Sequence, residues 1–250
     1  MKRSFGQVLR KVIDESDIII EVVDARLLDL TRNELVESLV EQQNKRLIIC
    51  VNKCDLVEKS YLEKKVKGLK NCVFVSSRLR YGTKILREMI YSVSAKSKKE
   101  KILVGVVGYP NTGKSSVINA LKGRTSAPMS SRSGRTKGAQ KVRISSRVML
   151  LDSPGVIPIN QQDSVQLALI ASKNADRVKD IDLVAQTILD TLHEQQKWKV
   201  LEKFFSVTLK NKDSALEELA IAKNRLKKGG QPDIQTISRF IIQAWQKGLL

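Results

Sequence analysis

The sequence predicts an α/β domain with a mainly parallel sheet, followed by a smaller all-helical domain. Two observations support this fold class. Short aliphatic runs bounded by turn residues alternate with segments of helical periodicity up to about residue 158, as in proteins built from strand–helix–strand units. After Pro158 the strand signal stops, and helical periodicity continues towards Leu250. We therefore divide the chain into a sheet domain, residues 1–160, and a helical domain, residues 161–250.

Six aliphatic runs predict the strands of the sheet. Four of them are almost continuous Val, Ile and Leu, which is typical of strands buried on both faces. Segments of helical periodicity lie between several of the runs. The predicted strands are 17–24, 47–52, 72–75, 102–108, 141–145 and 148–152, and the predicted helices are 33–43, 59–67, 82–92 and 115–122.

The helical domain shows periodicity over residues 164–173 and 181–196. Ser214 and Glu217 have the spacing of a capping box, which predicts a helix that runs to Lys228 and ends at the following glycines. Pro232 suits the start of a last helix, in which apolar residues recur up to Trp245. We expect this apolar stripe to pack in the core of the helical domain.

The composition excludes some classes of protein and favours others. The net charge is +19, and residues 96–147 contain thirteen Lys or Arg and one Glu, so we expect a polyanionic partner. The longest nearly uncharged apolar run, Ile102–Pro110, is far shorter than the ~20 residues of a membrane-spanning helix. The 3 cysteines do not suggest a disulfide scaffold. We expect a monomeric cytoplasmic protein that does not act at a membrane.

Residues 108–115, Gly-Tyr-Pro-Asn-Thr-Gly-Lys-Ser, match the phosphate-loop pattern G-x-x-x-x-G-K-[ST]. They follow a predicted buried strand and precede a predicted helix, which is the context this motif requires. Backbone N–H groups of the loop would surround phosphate oxygens, Lys114 would reach the β- and γ-phosphates, and Ser115 would bind Mg²⁺. The residues assigned to nucleotide contacts in this loop are Asn111, Thr112, Gly113, Lys114, Ser115 and Ser116.

Residues 152–155, Asp-Ser-Pro-Gly, follow the predicted strand 148–152. Alone this is a turn sequence. Beside a phosphate loop, the carboxylate of Asp152 suits a water-mediated contact to Mg²⁺, and the N–H group of Gly155 suits the γ-phosphate. Its position 37 residues after Ser115, with one basic strand between them, strengthens this interpretation.

Residues 52–55, Asn-Lys-Cys-Asp, follow another buried strand and predict guanine recognition. The carboxylate of Asp55 can accept hydrogen bonds from N1–H and N2–H₂ of guanine, which adenine does not offer, so a generic ATPase is disfavoured. Asn52 would fix the loop, and the stem of Lys53 would lie over the base. After the next strand, Ser76, Ser77 and Arg78 offer backbone N–H groups to guanine O6.

The order of these motifs is unusual. The base-reading segments, 52–55 and 76–78, precede the phosphate loop, whereas they follow it in ordinary small GTPases. In this order the chain resembles the circularly permuted GTPases of the YlqF type, in the translation-factor class. Asp24-Ala-Arg26 and Thr31-Arg32-Asn33 resemble a signature of that family, and Gly134-Arg-Thr136 resembles its switch.

The resemblance implies a permuted six-stranded GTPase domain, a helical C-terminal domain that contacts RNA, and a role in ribosome subunit assembly. It implies that Thr136 reaches Mg²⁺ and the γ-phosphate, and that Asn111 helps to bind K⁺. The residues expected to act in GTP hydrolysis are Lys114, Thr136 and Gly155. The expected cofactors are GTP or GDP, Mg²⁺ and K⁺, and the expected partner is rRNA or a precursor of a ribosomal subunit.

Two departures concern the switch region. Val156 stands where many small GTPases carry a water-orienting glutamine, so we expect slow hydrolysis by the protein alone. Arg135 and a serine-rich basic segment replace the commoner switch sequence, and we interpret residues 122–147 as an RNA-contacting loop. Two alternatives stay open: a nucleotide-gated RNA-binding module with vestigial hydrolysis, and a GTPase that acts on another structured RNA such as tRNA.

Overall fold

A computed structural model describes residues 5–122, 140–153, 164–170, 178 and 180–250. Its contacts divide the chain into two compact units, the first made of Met1–Asp55 and Leu62–Asn160, and the second of Leu56–Tyr61 and Gln161–Leu250. Within the described residues, no helix is long and apolar enough to cross a membrane.

The first unit is built on a six-stranded sheet in the order β3-β2-β1-β4-β6-β5. All neighbouring pairs in it are parallel except β5 and β6. The predicted mainly parallel, six-stranded sheet is therefore confirmed. Its strands are β1 (Ile18–Asp24), β2 (Arg46–Asn52), β3 (Cys72–Val75), β4 (Ile102–Val107), β5 (Gln140–Arg143) and β6 (Val148–Asp152).

The helices of the described segments are numbered in chain order. They are α1 (Phe5–Glu15), α2 (Leu28–Thr31), α3 (Glu34–Gln42), α4 (Lys59–Lys65), α5 (Thr83–Ala95), α6 (Lys114–Lys122), α7 (Ser164–Leu169), α8 (Ile181–Glu194), α9 (Trp198–Phe205), α10 (Ala215–Ala222) and α11 (Ile234–Gln246). Short 3₁₀ turns at Ala25–Leu27 and Cys54–Leu56 follow β1 and β2.

The core of the first unit forms because its central strands present aliphatic side chains on both faces. All seven residues of β1 are buried. One cluster joins β1, β2 and β4 to α5 and α6, and a second joins β1 to α1 and α3. The continuous apolar runs thus predicted the central strands correctly, because helices cover the sheet on both sides.

The second unit is helical in its described part. The indole of Trp245 on α11 is fully buried, and its Nε1–H donates to the carbonyl of Leu169 (3.0 Å). The predicted end of one helix was wrong: α10 stops at Ala222 rather than at Lys228. The chain instead turns back on itself, and Leu226 pairs with Pro232. The predicted capping box does not form either, because the Ser214 hydroxyl bonds to the carboxylate of Glu218 rather than to a helix N–H group.

Candidate nucleotide-binding site

The predicted site residues that the structure describes gather at one edge of the sheet. Parallel strands place their carboxyl ends together, and the register pairs Asp24 with Asn52, Asn52 with Val75, and Val106 with Asp152. The chain proceeds from β1 towards β3 on one side and from β4 towards β6 on the other. The loops after β1 and β4 therefore open at the point where the strand order reverses, which is where ligands bind in such sheets.

Asn52 joins three of these loops. Its Nδ2–H donates to the carbonyl of Thr112 in the phosphate loop (2.8 Å). Its Oδ1 accepts from the N–H group of Ser77, after β3 (3.1 Å). The side chain is buried, so the loss of either bond would leave a polar group unsatisfied. This one amide therefore couples segments 25 and 60 residues away in sequence.

Two glycines of the phosphate loop are required by close packing. Gly113 has φ +94°, and a Cβ atom there would lie 2.2 Å from Nδ2 of Asn52. Gly108 has φ +142°, and a Cβ atom there would lie 2.3 Å from the carbonyl oxygen of Val22 on β1. Only glycine fits these positions, so the motif's two fixed glycines follow from the contacts of the loop.

Lys114 and Asp152 are the charged groups of the phosphate end, which we define as residues 108–116 together with Asp152. The ammonium of Lys114 donates to the carbonyl oxygens of Tyr109 (2.7 Å) and Gly108 (3.0 Å). Burial lowers its pKa to about 8, although the charge of Asp152 acts in the opposite direction. Burial raises the pKa of Asp152, and Lys114 partly offsets that rise. Among the described residues, Oδ1 of Asp152 is buried without a hydrogen-bond partner.

The other predicted residues of the phosphate loop occupy its surface and its closing turn. Thr112 is buried, and its hydroxyl donates to the carbonyl of Tyr109 (2.9 Å). Asn111 is exposed and has a left-handed backbone, with φ +61°. Ser115 and Ser116 are exposed in the first turn of α6. The hydroxyls of both serines are therefore presented to solvent at the positive end of a helix.

The base end, which we define as residues 24–26, 52–55 and 76–81, contains three ion pairs, of which Arg26–Asp24 is described below. Nη2 of Arg78 lies 2.9 Å from Oδ2 of Asp55. Lys53 has φ +62°, and its ammonium lies 2.6 Å from Oδ2 of Asp24. The loop after β3 is closed by reciprocal backbone bonds between Ser76 and Tyr81.

Asp24 and Arg26, to which the sequence motifs gave no role, complete a buried cluster at this end. Nε and Nη2 of Arg26 donate to the two oxygens of Asp24 (3.2 and 3.0 Å). Burial opposes ionisation of Asp24, but the charges of Arg26 and Lys53 outweigh it and hold the pKa of this carboxyl far below its usual range. Thr31 accepts from the N–H group of Asp24 (3.0 Å). In the sequence, the signal that points to this cluster is the D-A-R…T-R-N signature.

Several predicted residues lie outside the described part of the chain. They are Arg135 and Thr136 of the switch sequence, Gly155, Val156, and the basic residues between 123 and 139. Their assignments remain predictions. The described geometry therefore concerns the base end and the phosphate end alone.

Comparison with known proteins finds relatives that are named GTP-binding proteins. The family model described as 50S ribosome-binding GTPase matches residues 103–223. An uncharacterised GTP-binding protein of Methanocaldococcus jannaschii is 38% identical over 247 residues, which are 98% of this chain and 65% of that protein. Nucleolar GTP-binding protein 2 of Neurospora crassa is 35% identical over 249 residues, 96% of this chain and 40% of that protein. The chain thus spans less than two thirds of the length of these relatives.

Solved structures show the same fold. YlqF from T. maritima, in its GNP-bound form, has a TM-score of 0.63 at 24% identity, and the match covers 98% of this chain and 94% of that one. Its GDP-bound form has a TM-score of 0.65 at 23% identity. The motif order, the sheet and these matches agree, and the chain therefore has the fold of the circularly permuted GTPases of the YlqF type.

Proposed function

We propose that this chain binds GTP and GDP and hydrolyses GTP as a molecular switch. The observation that carries the proposal is the amide of Asn52, which bonds at once to Thr112 in the phosphate loop and to Ser77 in the base-reading loop. A ligand that carries both a base and phosphates would contact both segments. Binding of either part then favours the loop positions that the other part needs.

At the base end, Asp55 selects guanine through its carboxylate. We assign the backbone N–H group of Arg78 to guanine O6, because those of Ser76 and Ser77 already donate to the carbonyl of Tyr81 and to Oδ1 of Asn52. The aliphatic stem of Lys53 lies over the base while Asp24 holds its ammonium (2.6 Å). The N–H donors of guanine thus meet a carboxylate, and its O6 acceptor meets backbone N–H.

At the phosphate end, Lys114 and the N–H groups of Asn111, Thr112, Gly113, Ser115 and Ser116 bind phosphate oxygens, and Gly155 donates to the γ-phosphate. Residues Ser115, Thr136 and Asp152 would hold Mg²⁺, which neutralises phosphate charge when bound. Oδ1 of Asp152, which is buried without a hydrogen-bond partner in the part of the chain that the structure describes, fits such a hard cation, as does the exposed Ser115. Lys114 exchanges its two carbonyl contacts for phosphate oxygens, which are stronger acceptors.

Base selection tests the nucleotide assignment. The wild-type protein is expected to bind GDP far better than ADP. Asp55→Asn should weaken GDP binding and improve binding of xanthosine diphosphate, because the amide then donates where guanine also donates and xanthine accepts. Asp29→Asn, which changes an exposed carboxylate, is the matched control. Equal affinity of the wild type for ADP and GDP, measured by equilibrium titration, would overturn the assignment.

We place the switch in ribosome subunit assembly, with rRNA or a subunit precursor as partner. The matched family description names ribosome binding, and relatives are named nucleolar GTP-binding proteins. The net charge of +19 suits a phosphate-rich partner, and such binding weakens steeply as salt rises. Monomeric state and a cytoplasmic location are parts of the same proposal.

Hydrolysis is expected to be slow alone and to depend on charge supplied from outside the chain. Asn111 helps to hold K⁺, and a ribosomal subunit brings Thr136 onto Mg²⁺. A supplied positive charge accelerates phosphoryl transfer by ~10³–10⁵ in known GTPases. Single-turnover rates in KCl and NaCl, with and without purified subunits, test this for the wild type and Asn111→Ala. If neither potassium nor any subunit changes the rate, a binding module with vestigial hydrolysis explains the protein better.

A further inference from the structure

The carboxylate assigned to guanine recognition is already paired within the chain. Nη2 of Arg78 lies 2.9 Å from Oδ2 of Asp55. The side chain of Asp55 is only 11% exposed, whereas that of Arg78 is 65% exposed. The guanidinium therefore reaches a mostly buried carboxylate from the solvent side of the base end.

The two groups that compete for this carboxylate have similar chemistry. A guanidinium is planar and presents adjacent N–H donors, and a carboxylate accepts them well. Guanine presents N1–H and N2–H₂ side by side on one planar edge. Both use the same acceptor oxygens, so the oxygen that Arg78 contacts is one that a bound guanine needs.

The backbone around Arg78 is fixed. Ser76 and Tyr81 exchange two backbone hydrogen bonds (3.0 and 3.1 Å), and the hydroxyl of Ser76 accepts from the N–H group of Leu79 (3.1 Å). The N–H group of Ser77 is held by Asn52. The side chain of Arg78 can therefore leave Asp55 by rotation about its own bonds, without rearrangement of the loop.

We propose that Arg78 determines guanine affinity by occupying the Asp55 carboxylate whenever no base is bound. The pair lowers the free energy of the base-free protein, because it compensates a carboxylate with little access to water. Guanine must displace it on binding, and Arg78 returns as guanine leaves. The side chain thus weakens guanine binding and speeds release. The inference rests on the proposed function, since it takes Asp55 as the guanine acceptor.

The test compares Arg78→Gln with Arg80→Gln in the full chain. Both variants remove one exposed arginine charge from the same loop, and only Arg78 contacts Asp55. Arg78→Gln is expected to bind GDP roughly two- to fivefold more tightly and to release it more slowly, the range expected for a solvent-exposed ion pair. Arg80→Gln should match the wild type. The gain should shrink as ionic strength rises.

Two further probes locate the effect. Guanosine, which has no phosphates, should show the same gain as GDP, and inorganic pyrophosphate should show none. In an Asp55→Asn background, Arg78→Gln should give no gain. Weaker or unchanged GDP binding by Arg78→Gln, in a protein that still prefers GDP to ADP, overturns this inference alone. A wild-type protein without that preference overturns the proposed function and this inference with it.

Discussion

The base end and the phosphate end lie at the same edge of one sheet but treat charge differently. At the base end, Asp24 contacts both Arg26 and Lys53, and Asp55 contacts Arg78. At the phosphate end, the ammonium of Lys114 contacts two carbonyl oxygens. Oδ1 of Asp152 is buried there without a hydrogen-bond partner among the described residues.

The contrast shows in the acid–base properties of the two ends. The pKa of Asp24 is held below its usual range by two cations, despite burial. Burial displaces the pKa of Lys114 downward, to about 8, and that of Asp152 upward, so both charged forms are disfavoured. At the base end, the charges of Asp24 and Asp55 are thus compensated by cations of the same chain. The phosphate end carries a cation and an acceptor that phosphate and a metal ion would stabilise.

The largest loss of stability is expected from a substitution at the base end. Asp24→Asn removes the carboxylate that the buried Arg26 and the half-buried Lys53 contact, and should lower the free energy of unfolding by about 3–5 kcal/mol. Because the pKa of Asp24 is depressed, its contribution is present above pH ~4, the unfolded pKa, and is lost as the pH falls towards the folded pKa. Urea unfolding at pH 7 measures the effect.

Asp29→Asn is the matched control for this change. Its carboxylate also pairs with a lysine, at 2.6 Å from Nζ of Lys65, but both side chains are exposed. The cost should stay below about 1 kcal/mol. Equal destabilisation by the two substitutions would show that the buried cluster is not what stabilises the base end.

At the phosphate end, a smaller effect on stability is expected, and it depends on pH through Lys114. The pKa of Lys114 is about 8 in the folded protein and near 10.5 in the unfolded chain, so the folded state binds fewer protons between these values. Stability should therefore rise with pH across this window relative to Lys114→Met, by about 1 kcal/mol per pH unit. The free energies of unfolding of both proteins, measured from pH 7.5 to 10.5, give this difference.

The same measurement on Lys122→Met, at the other end of α6, corrects for the loss of one lysine charge from that helix. Saturating GDP with Mg²⁺ should suppress the pH dependence, because bound phosphate favours the charged form of Lys114. The contrary result is that the free energies of unfolding of the wild type and Lys114→Met differ by the same amount from pH 8 to 10.5. That result would show that burial does not lower the pKa of Lys114, and it would contradict this description of the phosphate end.

Local patterns in the sequence were sufficient to predict the strands of the sheet and to locate the motifs. The continuous aliphatic runs identified β1, β2, β4 and β6 because these strands are buried on both faces. The patterns were less informative for the turn that follows α10 and for the helix that precedes β1. The segment after Ala222 has helical composition up to Lys228 but folds back so that Leu226 meets Pro232. Helix α1 was not predicted, although Leu9, Val12 and Ile13 on it are buried against the sheet.

By itself, the sequence predicted which segments carry the candidate site, since the phosphate-loop glycines, the N-K-x-D tetrapeptide and their order along the chain are local features. Only the tertiary structure decided which charges meet. Lys53 and Asp24 are 29 residues apart, and Arg78 and Asp55 are 23 apart. They become partners because parallel strands bring the ends of β1, β2 and β3 to one edge. Spacing along the chain does not report that register, whereas backbone pairing across the sheet fixes it.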